Sequence, residues 1–271
     1  MGRSHEEKAQ TKRWDEHYVR AQLPAMLSIE RRVCGCDYGS NSWTTRSEAE
    51  LMAALLQLQP GLRLLDVGAG SGWPGLYMAK TSGCEVILLD LPFAGLRIAS
   101  QRAANELIPG LCSAVVGDAA LLPFPATSFD AISHSDLLCC LRQKRTVLEG
   151  CREAIRDLGR MVFTVISIAP DLPATQYRRA VMDGPEFVES ETDYVTLLGE
   201  TGWLIVDRRD ITLDYAATCS RQFQADKKFK STLEALIGAS ASAERLAEWR
   251  SQLKAIEDGL LQRELFLVHP A

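Results

Sequence analysis

The residues best suited to chemistry lie between Leu64 and Gly75, where the apolar run Leu64, Leu65, Asp66, Val67 breaks into Gly68, Ala69, Gly70, Ser71, Gly72. Glycines at alternate positions remove side chains where a strand must turn sharply into a helix, so a ligand can lie against bare backbone. Pro74 suits the start of the helix that follows, where the missing amide is not needed. Open amides at such a helix start favour an anionic group, phosphate or carboxylate. Two more acids end apolar runs downstream: Asp90 after Val86 to Leu89, and Asp118 after Val115, Val116 and Gly117. A carboxylate about twenty residues after a glycine loop is placed to accept both hydroxyls of a ribose.

The glycines alone leave two readings open. Gly70, Gly72 and Gly75 satisfy the Gly-x-Gly-x-x-Gly pattern of dinucleotide-binding folds, and Asp90 fits either. However, Asp66 sits two positions before Gly68, and this acid followed by Gly68, Gly70 and Gly72 resembles motif I of the class I S-adenosylmethionine-dependent methyltransferases. The third and fourth strands sharpen the resemblance. Asp118 and Ala119 precede Leu122, Pro123, Phe124, Pro125 and then Ser128, Phe129, Asp130, an order similar to the small-molecule methyltransferases of the type 11 group, which includes the quinone-biosynthesis enzymes. The resemblance covers Leu62 to Ile166 and returns near the C-terminus. It departs before strand five, where a single-glycine turn, Asp157, Leu158, Gly159, Arg160, replaces the usual Leu-Lys-Pro-Gly-Gly.

The resemblance implies an α/β fold: a doubly wound, Rossmann-like sheet of seven mostly parallel strands, the last antiparallel, under a helical cap. It implies S-adenosylmethionine as cofactor, S-adenosylhomocysteine as product, and a cofactor site of Tyr38, Trp43, Asp66, Gly68, Ala69, Gly70, Asp90, Leu91, Asp118, Ala119 and Ser133. In the family the glycine loop holds the methionine half, the acid matching Asp66 helps bind its ammonium, and the acid matching Asp118 accepts from the adenine amino group. An aromatic face also stabilises a sulfonium by roughly 0.5–2 kcal/mol; Tyr18, Tyr38, Trp43 and Trp73 are candidates, with Tyr38 beside Gly39 preferred.

Such a cofactor already carries an electrophilic methyl, so the protein must chiefly hold a nucleophile in line behind it. A protonated nucleophile also needs a base, and the end of strand four offers His134 as the catalytic candidate, with Asp136 capping the next helix. Strand four continues Ser133, His134, Ser135, Asp136 in place of the Asn/Asp-Pro-Pro-aromatic motif of enzymes that methylate nucleobase or glutamine amino groups, which favours a small-molecule acceptor. Tyr177, Arg178 and Phe187 are candidates to contact it. The alternatives are an NAD(P)-dependent oxidoreductase and a non-catalytic protein that binds S-adenosylmethionine.

The 271 residues suit one domain with helical additions, and 46% hydrophobic content is ordinary for a globule. No window reaches the run of about eighteen apolar residues that a membrane helix needs, and the polar stretch Met1 to Arg13 lacks the apolar region of a signal peptide, so a cytoplasmic location is expected. The net charge of -5 argues against a nucleic-acid partner. The basic clusters Arg142, Lys144, Arg145; Arg208, Arg209; and Lys227, Lys228, Lys230 read as solvated faces. Eight cysteines without zinc-ribbon spacing read as reduced, mostly buried thiols, and no metal is expected.

The organisation follows as an N-terminal cap segment (1–43), a cofactor-binding core (44–168), substrate-cap elements (169–201 and 214–260) and the last strands (202–213 and 261–269). The first segment predicts a helix through Trp14 and Tyr18, then a loop from Gly35 to Trp43. A capping box of Thr45 and Glu48 opens a helix whose Leu51, Ala54, Leu55 and Leu58 repeat at helical spacing toward the core. Strands are expected at Arg63–Val67, Val86–Leu89, Ser113–Val116, Ala131–His134, Arg160–Ile166, Trp203–Val206 and Glu264–Val268, with helices between them.

Overall fold

The computed structural model describes residues 4–40, 42–108 and 111–271, so residues 1–3 and 41 of the expected N-terminal cap lie outside the described residues. Its strands are β1 (Arg63–Val67), β2 (Glu85–Asp90), β3 (Cys112–Val116), β4 (Phe129–Ser135), β5 (Ile155–Ile168), β6 (Trp203–Asp210) and β7 (Leu261–Pro270). Helices α1 (His5–Ala21), α2 (Pro24–Val33) and α3 (Arg46–Leu55) precede β1. Then α4 (Gly75–Ser82), α5 (Phe93–Asn105) and α6 (Lys144–Ala154) alternate with the parallel strands, and α7 (Ala174–Asp183) and α8 (Tyr194–Glu200) follow β5. Before β7 come α9 (Thr212–Lys228), α10 (Lys230–Ile237) and α11 (Ala239–Glu257).

The sheet order is β3-β2-β1-β4-β5-β7-β6, with β7 antiparallel to both neighbours. A parallel dinucleotide-binding sheet runs 3-2-1-4-5-6; here an antiparallel strand is inserted between the fifth and sixth. The central strands are buried on both faces, which is why β1 and β2 read as continuous apolar runs. Leu65, Val67, Ile132 and Phe163 pack on one side, and Leu64, Leu88, Ala131 and Val162 on the other.

Three local expectations are corrected. The stretch Asp157 to Arg160 is no turn before strand five but part of β5, with a register irregularity opposite Phe129 to Ala131 and Leu158 almost wholly exposed. In α3 the capping box is present, but the buried face carries Glu48, Ala49 and Met52, while Ala54 is exposed. The helix ends at Leu55, so the spacing continued past its last turn. The presumed N-terminal helix is two helices, parted at Leu23 and Pro24, because proline at the first helical position has no amide to continue α1.

Registry across β4, β5 and β7 aligns His134 with Phe163 and Phe163 with Phe266. Their rings stack at 4.6 and 5.1 Å between centroids. The same strand β7 places Arg263 in the interior with no exposure. Its guanidinium donates to Asp136 (3.0 Å) beyond β4, to Glu48 (2.5 Å) on α3, and to Thr44 and Thr164 (both 3.3 Å). Burial alone would favour losing the proton, but the Asp136 and Glu48 carboxylates hold the Arg263 pKa above its ordinary range. Asp136 therefore pairs with arginine, and no side-chain cap is present on the short 3-10 turn Leu138–Cys140 that follows.

Replacing Arg263→Met leaves two carboxylates in the interior without their cation. The expected cost is about 3–5 kcal/mol of stability, read as a lowered urea midpoint in equilibrium unfolding.

Candidate functional site

Strand β1 ends against a loop whose amides are tied to the next strand. Gly68 and Ala69 both donate to the Leu89 carbonyl (2.8 and 3.1 Å), and Gly70 donates to the Asp90 carboxylate (2.7 Å). The second Asp90 oxygen accepts from the Leu91 amide at 2.8 Å. The amides expected to receive an external anion are thus partly answered by the protein's own acid. Gly70 has φ +52°, and a Cβ there would meet the Tyr18 hydroxyl oxygen at 2.5 Å, so only glycine lets α1 lie this close to the loop.

Asp66 lies behind this loop. The β1–β4 register sets it beside Ser133, whose hydroxyl donates at 2.6 Å, and its other oxygen accepts from the Gly75 amide at 3.2 Å. Burial pushes the Asp66 carboxyl up to about 7 and the Asp90 carboxyl up to about 6, in each case against hydrogen bonds that pull the other way. Among the described residues neither acid has a basic side chain on it, so a positive charge arriving nearby would be stabilised by both.

A cavity of about 520 Å³ opens in front of the loop. Its sheet side is formed by Gly68, Ala69, Gly70, Asp90 and Leu91. Its outer walls come from α1, α9 and α11. Helix α1 contributes Gln10, Thr11, Arg13, Trp14, His17, Tyr18, Arg20 and Ala21, a broad helical face recurring at spacings of three and four. The helix is fastened at several points. Asp15 accepts from the Ala94 amide (2.7 Å) at the start of α5, Gln10 donates to the Cys140 carbonyl (3.2 Å), and Arg13 pairs with Glu186 (2.6 Å). A second, 20 Å³ hollow holds Asp118 and Phe187; Gln10, Leu91, Cys140 and Leu141 line both spaces and separate them.

Six of the expected cofactor residues therefore meet in the main cavity: Trp43, Gly68, Ala69, Gly70, Asp90 and Leu91. Asp118 is one wall away, with Ala119 buried beside it. Asp66 and Ser133 stand behind the loop rather than on the cavity surface. Tyr38 does not line the cavity: its ring lies between Trp73 (5.2 Å) and the Arg102 guanidinium (4.1 Å), and Tyr18 is the tyrosine on the glycine loop. Of the substrate candidates, Tyr177 is exposed on α7 and bonded to Glu189, Arg178 is exposed beside it, and Phe187 faces the smaller hollow. Lys144, expected on a solvated face, is buried and donates to the Leu141 and Phe187 carbonyls (both 2.7 Å); burial lowers its pKa to about 8.

His134 does not reach the cavity. It is fully buried in the ring row on Phe163, neither ring nitrogen has a partner among the described residues, and burial lowers its pKa to about 3. The imidazole that does line the cavity is His17, half-buried on α1 with its pKa lowered to about 4 by burial and by Arg20 and Arg245. The signal for it was the stripe Gln10, Trp14, His17, Ala21, which sets His17 beside Trp14 on one helix face.

Residues 65–163 match the family model described as a methyltransferase domain. Phosphoethanolamine N-methyltransferase 3 of Arabidopsis thaliana is 23% identical over 216 residues, covering 79% of this chain and 43% of that protein. The chain thus spans less than half the length of this curated relative. The solved structure of Haemonchus contortus phosphoethanolamine N-methyltransferase 2, in complex with phosphomonomethylethanolamine and S-adenosylhomocysteine, superposes with a TM-score of 0.77 at 17% identity, over 95% of this chain and 60% of that one. The [4+2]-cyclase SpnF shares the fold at a TM-score of 0.71 and 17% identity, over 95% of this chain and 96% of that one. At these identities the structural likeness speaks for the fold and not for the reaction.

Because the folded-state pKa of His134 lies below its unfolded value of about 6.5, its neutral form contributes stability above pH 6.5 that is lost as pH falls toward about 3. In His134→Leu that loss disappears: between pH 7 and pH 4.5 the variant should lose roughly 3 kcal/mol less than the parent, measured by urea unfolding at both values.

Proposed function

We propose that this chain, whose residues 65–163 match the methyltransferase domain model, transfers a methyl group from S-adenosylmethionine to a small-molecule acceptor. The observation that carries the reading is the Asp90 carboxylate, held by the Gly70 and Leu91 amides at the edge of a cavity whose floor is bare backbone. A carboxylate there, 20 residues beyond Gly70, is positioned for two ribose hydroxyls. Two acids with pKa values raised by burial also suit a ligand bearing an ammonium and a sulfonium.

In this reading Gly68, Ala69 and Gly70 carry the amino-acid end of the cofactor, with Asp66 and Ser133 supporting the loop from behind. Leu91 flanks the adenine, and Asp118 with the Ala119 amide receives its edge once the Gln10 to Cys140 contact parts. Tyr18 and Trp43 supply the aromatic faces. When bound, the cofactor supplies an electrophilic methyl, which leaves the chain to hold the acceptor in line and exclude water. The exclusion falls to α1, fastened through Asp15 and Arg13. We take residues 1–43, 169–201 and 214–260 as the cap on one methyltransferase unit, open to acceptors with an O, N or C nucleophile.

Because a cyclase shares the fold, the test must read methyl transfer itself. Purified protein incubated with S-adenosylmethionine carrying a radiolabelled methyl and a metabolite panel should label at least one acceptor and release S-adenosylhomocysteine in equal amount. Binding of the cofactor with no labelled product from any acceptor would replace the reading with that of a non-transferring protein, and absence of binding would end it.

A further inference from the structure

We propose that the methyl acceptor is an anion, a carboxylate or phosphate carried on a flat body, whose charge is received between Arg20 of α1 and Arg245 of α11 beside His17. The inference rests on the reading above and names the acceptor class for the same cavity.

The cavity is electrically divided. On the sheet side the charge is negative, from Asp90 at the surface and Asp66 behind it. On the cap side three guanidiniums line the wall: Arg13, Arg20 and Arg245. Arg13 is neutralised by Glu186 at 2.6 Å. Arg245 donates to the buried Asp226 at 2.5 Å, and Asp226 also accepts from Trp249 and Gln222, both at 2.7 Å. Arg20 pairs with no carboxylate among the described residues. The other acids of the cavity are committed elsewhere: Glu30 to the Gly39 and Ser40 amides, and Asp136 to Arg263. An inward helical stripe normally buries apolar side chains; here α1 sets His17 on the wall, with the exposed Arg20 three residues on and Arg245 of α11 lining the same space.

That surplus positive charge acts on His17. Burial first, then Arg20 and Arg245, hold its pKa down to about 4. Among the groups that face it, Arg13 is paired with Glu186 and Arg245 with Asp226, which leaves Arg20 as the cation in excess among the described residues. An anion between the two guanidiniums would relieve the repulsion and move the imidazole toward its ordinary range. The flat body follows from the neighbouring surfaces. The Trp43 and Trp249 rings meet edge to face at 5.4 Å on the cavity wall, and the buried Gln252 side-chain oxygen there has no donor. An aromatic or conjugated body with a hydroxyl or amino group meets both features.

The sign of this charge also suits the chemistry. A positive sulfonium on the sheet side and an anionic acceptor on the cap side attract across the reacting gap, and the acid and base walls orient the two molecules oppositely.

The test uses protein saturated with S-adenosylhomocysteine and four probes followed by calorimetry: phenyl phosphate, benzoate, and their neutral counterparts benzyl alcohol and benzamide. The anions should bind at least tenfold more tightly than the neutral probes, and the tighter of the two names phosphate or carboxylate. Arg20→Gln, at an exposed position, should weaken the anion at least tenfold and leave benzyl alcohol unchanged. Arg245→Lys keeps a cation on Asp226 and should weaken it less. Carbon-13 imidazole signals should show the His17 pKa rising by a unit or more when phenyl phosphate binds. Equal affinity for charged and neutral probes, no saturable anion binding, or Arg20→Gln without effect would overturn the proposal. Affinity for S-adenosylhomocysteine, measured on the same preparations, separates this failure from failure of the cofactor site itself.

Discussion

The structure turns on one carboxylate. Asp90 closes β2 and accepts the Gly70 and Leu91 amides, which fixes the glycine loop to the neighbouring strand. The loop needs such an anchor because its glycines lose more conformational freedom on ordering than any other residue type. The anchor also carries a burden: a carboxylate buried without a cation has its pKa raised, and the site is stabilised by any ligand that brings positive charge or hydroxyl donors. In the proposed reading, structural order and ligand affinity therefore depend on the same two oxygens.

Helix α1 inherits its position from that loop. Tyr18 lies over Gly70, and Gly95 at the start of α5 lies so close that a Cβ would meet the Gly70 carbonyl at 2.8 Å. Asp15 of α1 caps the same helix start, so α1, α5 and the loop form one contact. On the opposite side Arg263 ties β7 to α3 and to the segment after β4. The antiparallel strand thus brings a buried cation beneath the cavity wall, a role a parallel strand entering from the other end would not fill with the same residue.

Legibility in the sequence followed the range of the interactions. The strands, the glycine loop and the three acids at strand ends were readable because each is a local pattern of apolar run and break. His134 was misread because strand alternation shows which residues share a face but not which face opens on a cavity, and β4 is buried on both. Its place is set by Phe163 and Phe266, 29 residues and more away in the chain and brought alongside by the registers of β5 and β7. His17 and Arg245 are joined only by the packing of α1 and α11 around one space, and Tyr38 was displaced by Tyr18 because Arg102 and Trp73 hold it elsewhere. Such pairings leave no trace in spacing. The helical stripe from Gln10 to Ala21 was the one local sign of a cavity wall.

The most direct test is a crystal structure of the protein with S-adenosylhomocysteine. The expected result is ribose hydroxyls on the Asp90 carboxylate, the amino-acid end on the Gly68 to Gly70 backbone, and the base beside Asp118 with Gln10 drawn off the Cys140 carbonyl. A ligand bound elsewhere, or bound here with Asp90 making no contact to it, would contradict the account.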